Sequence, residues 1–592
     1  MSADPETREQ IRILAQKNSL AQAGSFRIRF ERTWGAVQYS ENVTERVRML
    51  KMLREQSRET SSMTVNRSRR RVSEAVVAAL YSFFLVFGFM KSAIIRGASI
   101  SSLKVMLPLI FIMLFLTFCF VIAFLDSLLD RSASIRKSES AVRHNAYLFG
   151  GSVSVILLLG WFPYFWANLP GSITVDGSIQ LGQFFGLIPL SNSNPIFDTM
   201  VFGILFRAGR FIFKTDNGGI MSIAFVQYIV MAIAFTWSVY EGYLLLGKKK
   251  SFVICSLLLF TMMPVFGYAG QVVLKDTLHM AAFMIMLSAQ MTVMQKPETK
   301  WSIVYGLSLL LVSLTRAMAS VYAMAGGLAT VAFFWKEKPE LKKVMTLTVL
   351  SSFLLFGTYE RILLPLIGAE EYPSGERYAV ALQQVGYIVS KHHDEITDDE
   401  IEAIDTMLQY DRIIEEYNQN IADPMKRIYQ AEDKGSQSKF WRQYFMWYLK
   451  YPRDMIAGLL SSCYQYFYPL SVGFGNYCSV IEDYSGAGLD IHFVHEEARS
   501  NMNEYASKWK TNAILSLLMG PGLYIWVLIF STSRCVQYKS VKMFCIILPL
   551  LILMIGLPFT PVNGDVRYAY PILSSAPLLA ALCFNPTVTE SA

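Results

Sequence analysis

The sequence has few charged residues for its length, and this scarcity restricts the class of protein. Of its 592 residues only 17% are charged, whereas 53% are hydrophobic and the mean hydropathy is +0.34. A soluble chain of this length would carry about a quarter charged residues. The composition therefore favours a membrane protein. The net charge of +8 needs no nucleic-acid partner, because the basic residues lie beside apolar runs.

Several chemical motifs are also missing. The seven cysteines form no Cys-x-x-Cys pair, so redox chemistry and structural zinc are unsupported. Only Cys463 and Cys478 are predicted to lie outside the membrane, where a disulfide between them is allowed. No glycine-rich phosphate loop supports a nucleotide-driven pump. His492 and His495 lack a third ligand at a firm spacing and fit a surface helix better than a metal site.

Long apolar runs make up most of the chain. A helix needs about 20 apolar residues to span a membrane, whereas barrel strands alternate apolar and polar residues over about ten positions. The runs here are continuous, as in 105–123, so we predict an all-α, polytopic helical membrane protein with about 12 spans. The predicted spans are 73–92, 105–127, 145–167, 219–246, 251–269, 277–295, 302–316, 319–335, 344–366, 511–531, 541–558 and 567–585.

Basic residues next to the spans predict the orientation. Residues 1–72 are polar and basic and have no signal-peptide core, and the positive-inside rule places them in the cytoplasm. Following the charges along the chain places both termini inside. The predicted parts are a cytoplasmic segment 1–72, a transmembrane hairpin with a basic loop 73–144, a transmembrane core 145–366, an external, mostly helical domain 367–510 and C-terminal transmembrane helices 511–592.

Two stretches outside the spans have distinct patterns. Residues 196–213 are apolar but contain Arg207 and Arg210, which predicts an amphipathic helix in the membrane interface. The external domain contains an acidic run at 394–400, where Thr397 and Glu400 have the spacing of a capping box at a helix start.

The most informative loop, 170–180, follows the apolar run 145–167 and contains Asp176. An acidic residue just outside a span suits chemistry at the membrane surface, where its carboxylate could take a proton from an acceptor hydroxyl. The competing interpretation is structural. Asp176 precedes a helical pattern at 178–185, and its side chain could simply cap that helix.

Three cations are predicted at the outer ends of apolar runs, on the same side as Asp176. They are Lys275, Arg316 and Arg567. Arginine and lysine at this depth suit the phosphate of a lipid head group. Alternatively, each is a long side chain that snorkels from a helix end. Asp276 either assists these cations or neutralises Lys275.

Several separated motifs occur in a recognisable order. In the core they are Pro170-Gly171-x-x-Thr174-x-Asp176, Asn194-Pro195, Lys275-Asp276-Thr277, Thr315-Arg316 and Arg567-Tyr568-x-x-Pro571. The external stretch adds Gln383-Gln384, Glu395-Ile396-Thr397-x-x-Glu400 and Asp423-Pro424-x-Lys426. Over about residues 145–585 the chain resembles the bacterial membrane family called domain-of-unknown-function family 6020. It departs from the pattern at Gly177, often serine in relatives, and at Asn194, often histidine.

That family is similar in architecture to the GT-C glycosyltransferases, so the resemblance implies a GT-C-like fold and a membrane glycosyltransferase. Such an enzyme lies in the cell membrane. It moves a sugar from a polyprenyl-phosphate-linked donor to an external acceptor, which is a cell-envelope glycan or protein. The resemblance maps the catalytic base to Asp176. The substrate-binding residues that we predict are Lys275, Asp276, Arg316, Arg567, Tyr568, Gln180 and Asn194. A divalent metal is compatible with this chemistry, but no ligand set indicates one, so we predict no metal-binding residues.

Two other functions stay open at this point. A lipid or polysaccharide transporter or flippase would use ionisable residues and broken helices near the midplane, and the predicted spans are poor in such charges. A non-catalytic scaffold would use the external domain to bind a partner, and the departures at Gly177 and Asn194 are compatible with it.

Overall fold

The computed structural model describes residues 67–95, 106–135, 146–316, 318–337, 339–370, 374–430, 434–471 and 488–585. The predicted cytoplasmic segment up to residue 66 and the partner cysteine Cys478 lie outside these ranges. The chain divides into two compact units, Met1–Arg70 and Arg71–Ala592. Every site residue predicted from the sequence belongs to the second unit.

Helices dominate the described residues. The first part contains α1 Arg67–Ile95, α2 Met106–Ile135, α3 Ala146–Ala167, α4 Val175–Phe184, α5 Ile196–Phe213, α6 Asp216–Leu245, α7 Lys250–Met262, α8 Pro264–Gln271, α9 Lys275–Gln295, α10 Thr299–Leu314, α11 Ala319–Glu337, α12 Lys342–Thr358 and α13 Leu364–Leu366. The part predicted as external contains α14 Ser374–Arg377, α15 Ala379–His392, α16 Asp398–Asp405, α17 Ile413–Glu416, α18 Asp423–Arg427, α19 Lys434–Lys450, α20 Pro452–Ser461, α21 Tyr464–Phe467 and α22 Glu496–Thr511. The chain closes with α23 Ala513–Met519, α24 Pro521–Tyr538, α25 Val541–Gly556 and α26 Tyr570–Phe584.

The all-α prediction is confirmed, and the chain is a multi-pass membrane protein. Among the described residues, eight helices are long and apolar enough to cross a membrane, or nine if the bent pair α7 and α8 counts as one span. The twelve predicted spans include three further runs, which coincide with the 16-residue α10, with α11 and with the interrupted α23 and α24. The count of twelve therefore exceeds the number that meets the length and apolarity test.

Prolines explain the two breaks that the apolar pattern did not predict. The run 251–269 bends by 63° between α7 and α8, where Met263 has extended backbone angles and Pro264 begins the next helix. A residue before proline is disfavoured in the helical region, and proline has no N–H to donate. The run 511–531 is interrupted in the same way at Gly520, ahead of Pro521.

A two-stranded parallel sheet organises one end of the helix bundle. Strand β1, Ser172–Ile173, pairs with β2, Val272–Val273, so that Ser172 aligns with Val272 and Ile173 with Val273. Each strand runs directly into a helix, β1 into α4 and β2 into α9. Because parallel strands leave a sheet at the same edge, the N-termini of these two helices lie side by side. The sequence pattern gave no sign of this sheet.

The helices between Ala381 and Met455 have a hydrophobic core of their own, which includes Leu382, Ile404, Ile413 and Trp447. At helix α16 the predicted capping box is confirmed, since the Thr397 N–H donates to Glu400 Oε2 over 2.9 Å. This part of the chain also touches the C-terminal loop that precedes α26. Asn563 N–H donates to the Asn420 carbonyl over 2.9 Å, and Ala422 N–H donates to the Pro561 carbonyl over 2.7 Å.

A buried ion-pair network joins the N-terminal hairpin to the C-terminal helices. Arg534 of α24 is fully buried, and its Nη1 lies 3.2 Å from Asp126 Oδ1 and 2.8 Å from Asp130 Oδ1, both on α2. Gln537 donates to Asp126 Oδ2 over 2.8 Å. The sequence led us to expect little charge in the spans and did not predict this network. Its members are far apart in sequence and meet only because the helices pack together.

Arg534→Gln should therefore destabilise the protein by about 3–5 kcal/mol, because it leaves the buried carboxylate of Asp126 and the partly buried carboxylate of Asp130 without their cation. Thermal unfolding of the purified protein in detergent measures the loss. Lys508→Gln is the control, because it removes an exposed pair with Glu504 that contributes at most about 1 kcal/mol. Equal, small shifts for both variants would show that the network does not stabilise the fold.

Candidate functional site

Asp176 lies in the first turn of α4, but another residue caps this helix. Thr174 is the N-cap, and its hydroxyl accepts a hydrogen bond from the Gly177 N–H over 3.2 Å. The structural interpretation of Asp176 as the capping side chain is thus wrong. The Asp176 carboxylate is therefore available to interact with a neighbouring helix. The parallel sheet places the start of α9 next to it.

The Asp176 carboxylate is held between two cations. Its Oδ2 atom lies 3.3 Å from Lys275 Nζ and 3.0 Å from Arg567 Nη1. Burial alone would raise the pKa of Asp176, but Lys275 and Arg567 outweigh it and lower the pKa to about 2. The carboxylate is therefore ionised throughout the neutral pH range. Arg567 is also bound by Asp565, whose Oδ2 lies 2.8 Å from Nε.

Arg316, the third predicted cation, contacts Asp276 and the aromatic ring of Tyr568. Arg316 Nη1 lies 2.6 Å from Asp276 Oδ1, and the Asp276 side chain is only 1% exposed. The guanidinium carbons of Arg316 and Arg567 lie 4.7 and 5.0 Å from the centroid of the Tyr568 ring. Both distances are within the range of cation–π attraction. Tyr568 therefore holds the two arginines close together despite their like charge.

Snorkelling does not describe these side chains, because each one pairs with a carboxylate between helices. Their side chains are only 15–26% exposed. The structure thus brings Asp176, Lys275, Asp276, Arg316, Arg567 and Tyr568 into one place, at the N-terminal ends of α9 and of the last helix. We call this set the acid–base cluster.

The two departures from the family pattern are accommodated here. Asn194 accepts a hydrogen bond from Lys275 Nζ through its side-chain oxygen. Gly177 lets α4 approach β2 closely, since a Cβ atom at this position would lie 2.6 Å from the Val273 carbonyl oxygen. Glycine therefore keeps the α4 backbone, and with it Asp176, against the sheet.

Gln180 lies one turn further along α4 and is fully buried. Its amide nitrogen donates to Thr199 Oγ1 over 3.3 Å. This contact joins α4 to α5, the helix predicted as amphipathic at 196–213 and observed over the same residues. Gln180 therefore borders the acid–base cluster on the side of α5.

Sequence reasoning missed two acidic residues of the site. Asp565, two positions before Arg567, holds that arginine, and Asp198 is fully buried in the first turn of α5. A signal for Asp198 existed, namely a carboxylate within the apolar stretch that follows Asn194-Pro195. With Asp176 and Asp276, the region contains four carboxylates against three cations.

Metal binding by side-chain clusters finds no support in the described ranges. They contain no group of three or more His, Cys, Asp and Glu side chains that could hold a metal ion. The imidazole of His495 stacks on Trp166 instead, with ring centroids 4.3 Å apart.

The cluster is suited to binding an anion. Two helix N-termini, those of α4 and α9, meet here, and free backbone N–H groups and the helix dipole favour negative charge at such a point. Each of the three cations already has a carboxylate partner. An anionic ligand would therefore compete with these carboxylates for the cations.

Comparison with known proteins gives the family. The model of a family of unknown function, DUF6020, matches residues 188–590. The chain belongs to this family, as its motifs predicted. The matched residues include most of the acid–base cluster, whereas Asp176 precedes them.

No particular function follows from the other comparisons. No curated protein matches the chain significantly. Among solved structures, ArnT from Cupriavidus metallidurans bound to undecaprenyl phosphate is similar at a TM-score of 0.27 and 11% identity, over 72% of this chain and 78% of that one. This likeness is too distant to assign an activity.

Proposed function

We propose that the protein is a membrane glycosyltransferase of GT-C type that uses a polyprenyl-phosphate-linked sugar. One observation carries the proposal: a carboxylate, Asp176, lies between Lys275 and Arg567 at 3.3 and 3.0 Å, at the end of a bundle of apolar helices. Cations at this position suit a lipid-borne phosphate. The carboxylate beside them suits proton removal from a hydroxyl.

Donor binding activates Asp176 in this mechanism. Before the donor binds, Lys275 and Arg567 are engaged with the carboxylate and keep the pKa of Asp176 at about 2, which makes it a weak base. The donor phosphate draws both cations toward itself. The Asp176 carboxylate then loses part of its stabilisation, and its pKa rises toward a value at which it accepts a proton more readily.

The transfer step uses the released carboxylate. The acceptor oxygen attacks the anomeric carbon of the sugar, the bond from this carbon to the phosphate oxygen breaks, and the acceptor proton passes to Asp176. The leaving polyprenyl phosphate gains negative charge, which Lys275, Arg316 and Arg567 stabilise. The acceptor is an external cell-envelope glycan or protein. The protein spans the cell membrane, and we place both chain termini in the cytoplasm.

A lipid-binding experiment tests the proposal on the intact protein. We expect a polyprenyl phosphate to raise the midpoint of thermal unfolding of the protein in detergent. At 100 times its dissociation constant a ligand stabilises by about 2.7 kcal/mol. The matched polyprenol, which lacks the phosphate, should give little shift. Equal shifts for the two lipids would contradict a phosphate site.

A further inference from the structure

Asp198 is a buried carboxyl group without a hydrogen-bond partner among the described residues. Its side chain is fully buried in the first turn of α5, and neither carboxylate oxygen has a hydrogen-bond partner among the described residues. Burying a polar group without a hydrogen-bond partner is unfavourable, and burying a charge without one is more so. Functional sites are one place where such buried, unpartnered polar groups occur in native proteins.

The surroundings of Asp198 connect it to the acid–base cluster. Burial raises the pKa of Asp198 well above its ordinary value, Lys275 lowers it in part, and Asp276 raises it further. The two residues on either side of Asp198 are fixed by polar contacts. Phe197 N–H donates to Tyr359 Oη over 3.0 Å, and Thr199 accepts from Gln180.

Tyr359 comes from a distant helix with a local irregularity. It begins a π-helical turn, Tyr359–Leu363, that follows α12. Such turns within long helices are rare and often occur at functional sites. Here the turn directs the tyrosine hydroxyl to the start of α5, so that three elements, α4, α5 and this turn, converge around Asp198.

Two residues that interact with Asp198 or with its neighbour Thr199 also carry unpartnered hydrogen-bond acceptors. Gln180 Oε1 and Asp276 Oδ2 are buried and, like the two Asp198 oxygens, have no partner in the described part of the chain. A ligand that satisfies them must supply several donors. The carboxylates here do not form a metal-binding group among the described residues, and the ammonium of Lys275 contributes positive charge beside them.

We infer that Asp198 and Gln180 form a subsite that binds the hydroxyl groups of a carbohydrate unit next to the phosphate-binding cations. A sugar presents several hydroxyl donors on adjacent carbons, which matches a set of orphaned acceptors. The neutral form of Asp198 can also donate to a sugar oxygen. This inference rests on the proposed glycosyl transfer, and the bound unit is either the donor sugar or a sugar of the acceptor.

The test compares three probes on the purified, full-length protein by thermal unfolding. These are a polyprenyl phosphate, the same lipid bearing glucose or mannose, and the free sugars. For the wild type we expect a larger shift with a sugar-bearing lipid, or with lipid and free sugar together, than with the lipid phosphate alone. An increment from the linked sugar assigns the subsite to the donor, and one from the free sugar assigns it to the acceptor.

The variants separate the subsite from the phosphate site. Asp198→Asn and Gln180→Leu should keep the response to the polyprenyl phosphate and lose the sugar increment, with affinity for the sugar-bearing probe falling about tenfold. Gln383→Leu is a matched control, because Gln383 is a buried glutamine of the external domain with one hydrogen bond and an unpartnered Oε1 among the described residues. It should retain the increment.

Two results would overturn the subsite. In the first, the polyprenyl phosphate still binds, but the sugar increment is either unchanged in Asp198→Asn or absent from the wild type with every sugar. In that case the proposed function stands without this subsite. The second is a wild type that responds to neither the lipid phosphate nor its sugar-bearing form, which contradicts both.

Discussion

Asp176→Asn should reduce sugar transfer by about 100-fold or more while the protein still folds, because this is the usual scale for loss of a general base. The substitution keeps the size of the side chain. It also leaves the start of α4 intact, since Thr174 rather than Asp176 caps that helix. A glycan profile of cells that carry the wild type, the variant or a deletion measures the effect, and the variant should resemble the deletion.

The same variant should bind the lipid phosphate at least as tightly as the wild type. The Asp176 carboxylate pairs with Lys275 and Arg567, and an incoming phosphate must compete with it for these cations. Removing the charge of Asp176 frees both cations for the phosphate. Loss of transfer together with unchanged or tighter polyprenyl-phosphate binding distinguishes a catalytic defect from misfolding. A normal glycan profile for Asp176→Asn, where the deletion alters it, would refute the role of Asp176 as base.

Lys275→Gln and Arg567→Gln should each weaken polyprenyl-phosphate binding by about 10- to 150-fold, which corresponds to the roughly 1.5–3 kcal/mol of a hydrogen bond to a charged group. Both side chains reach the same oxygen of Asp176, so a phosphate that replaces this carboxylate contacts both. Titration of the purified variants with a labelled polyprenyl phosphate gives the affinities.

Arg210→Gln is the matched control for these two variants. Arg210 forms an ion pair with Asp216 over 3.1 Å, but its side chain is 57% exposed at the end of α5. It should bind the lipid as the wild type does. Affinities for Lys275→Gln and Arg567→Gln that equal that of Arg210→Gln would assign both cations to structural ion pairs only.

Much of the fold follows from periodicity and charge, because long apolar helices have a strong sequence signal. The helix at 196–213 and the capping box at Thr397 were predicted at their observed positions. The breaks at Met263 and Gly520 were not, although Pro264 and Pro521 stand in the sequence. Apolarity continues through both prolines, so a hydropathy pattern alone reads each run as one span.

Most residues of the site were predicted from the sequence, but the ion pairs between them were not. Lys275, Arg316 and Arg567 were predicted to hold a phosphate, and Asp276 to assist them or to neutralise Lys275. In the structure Asp276 pairs with Arg316, whereas Lys275 and Arg567 pair with Asp176. These contacts cross long stretches of chain and depend on the two-residue parallel sheet, which is too short to give an alternating pattern. Asp198 was missed for a related reason, since a lone acid in an apolar helix shows its significance only once its burial is known.

A structure of the protein with a polyprenyl-phosphate sugar analogue tests the central claim most directly. The account predicts the phosphate at the acid–base cluster, within about 4 Å of Lys275 Nζ and of the Arg567 guanidinium. It also predicts that Asp176 is released from both cations and lies on the side of the sugar from which the acceptor oxygen attacks. A phosphate bound elsewhere, with the Asp176 ion pairs to Lys275 and Arg567 intact, would contradict it.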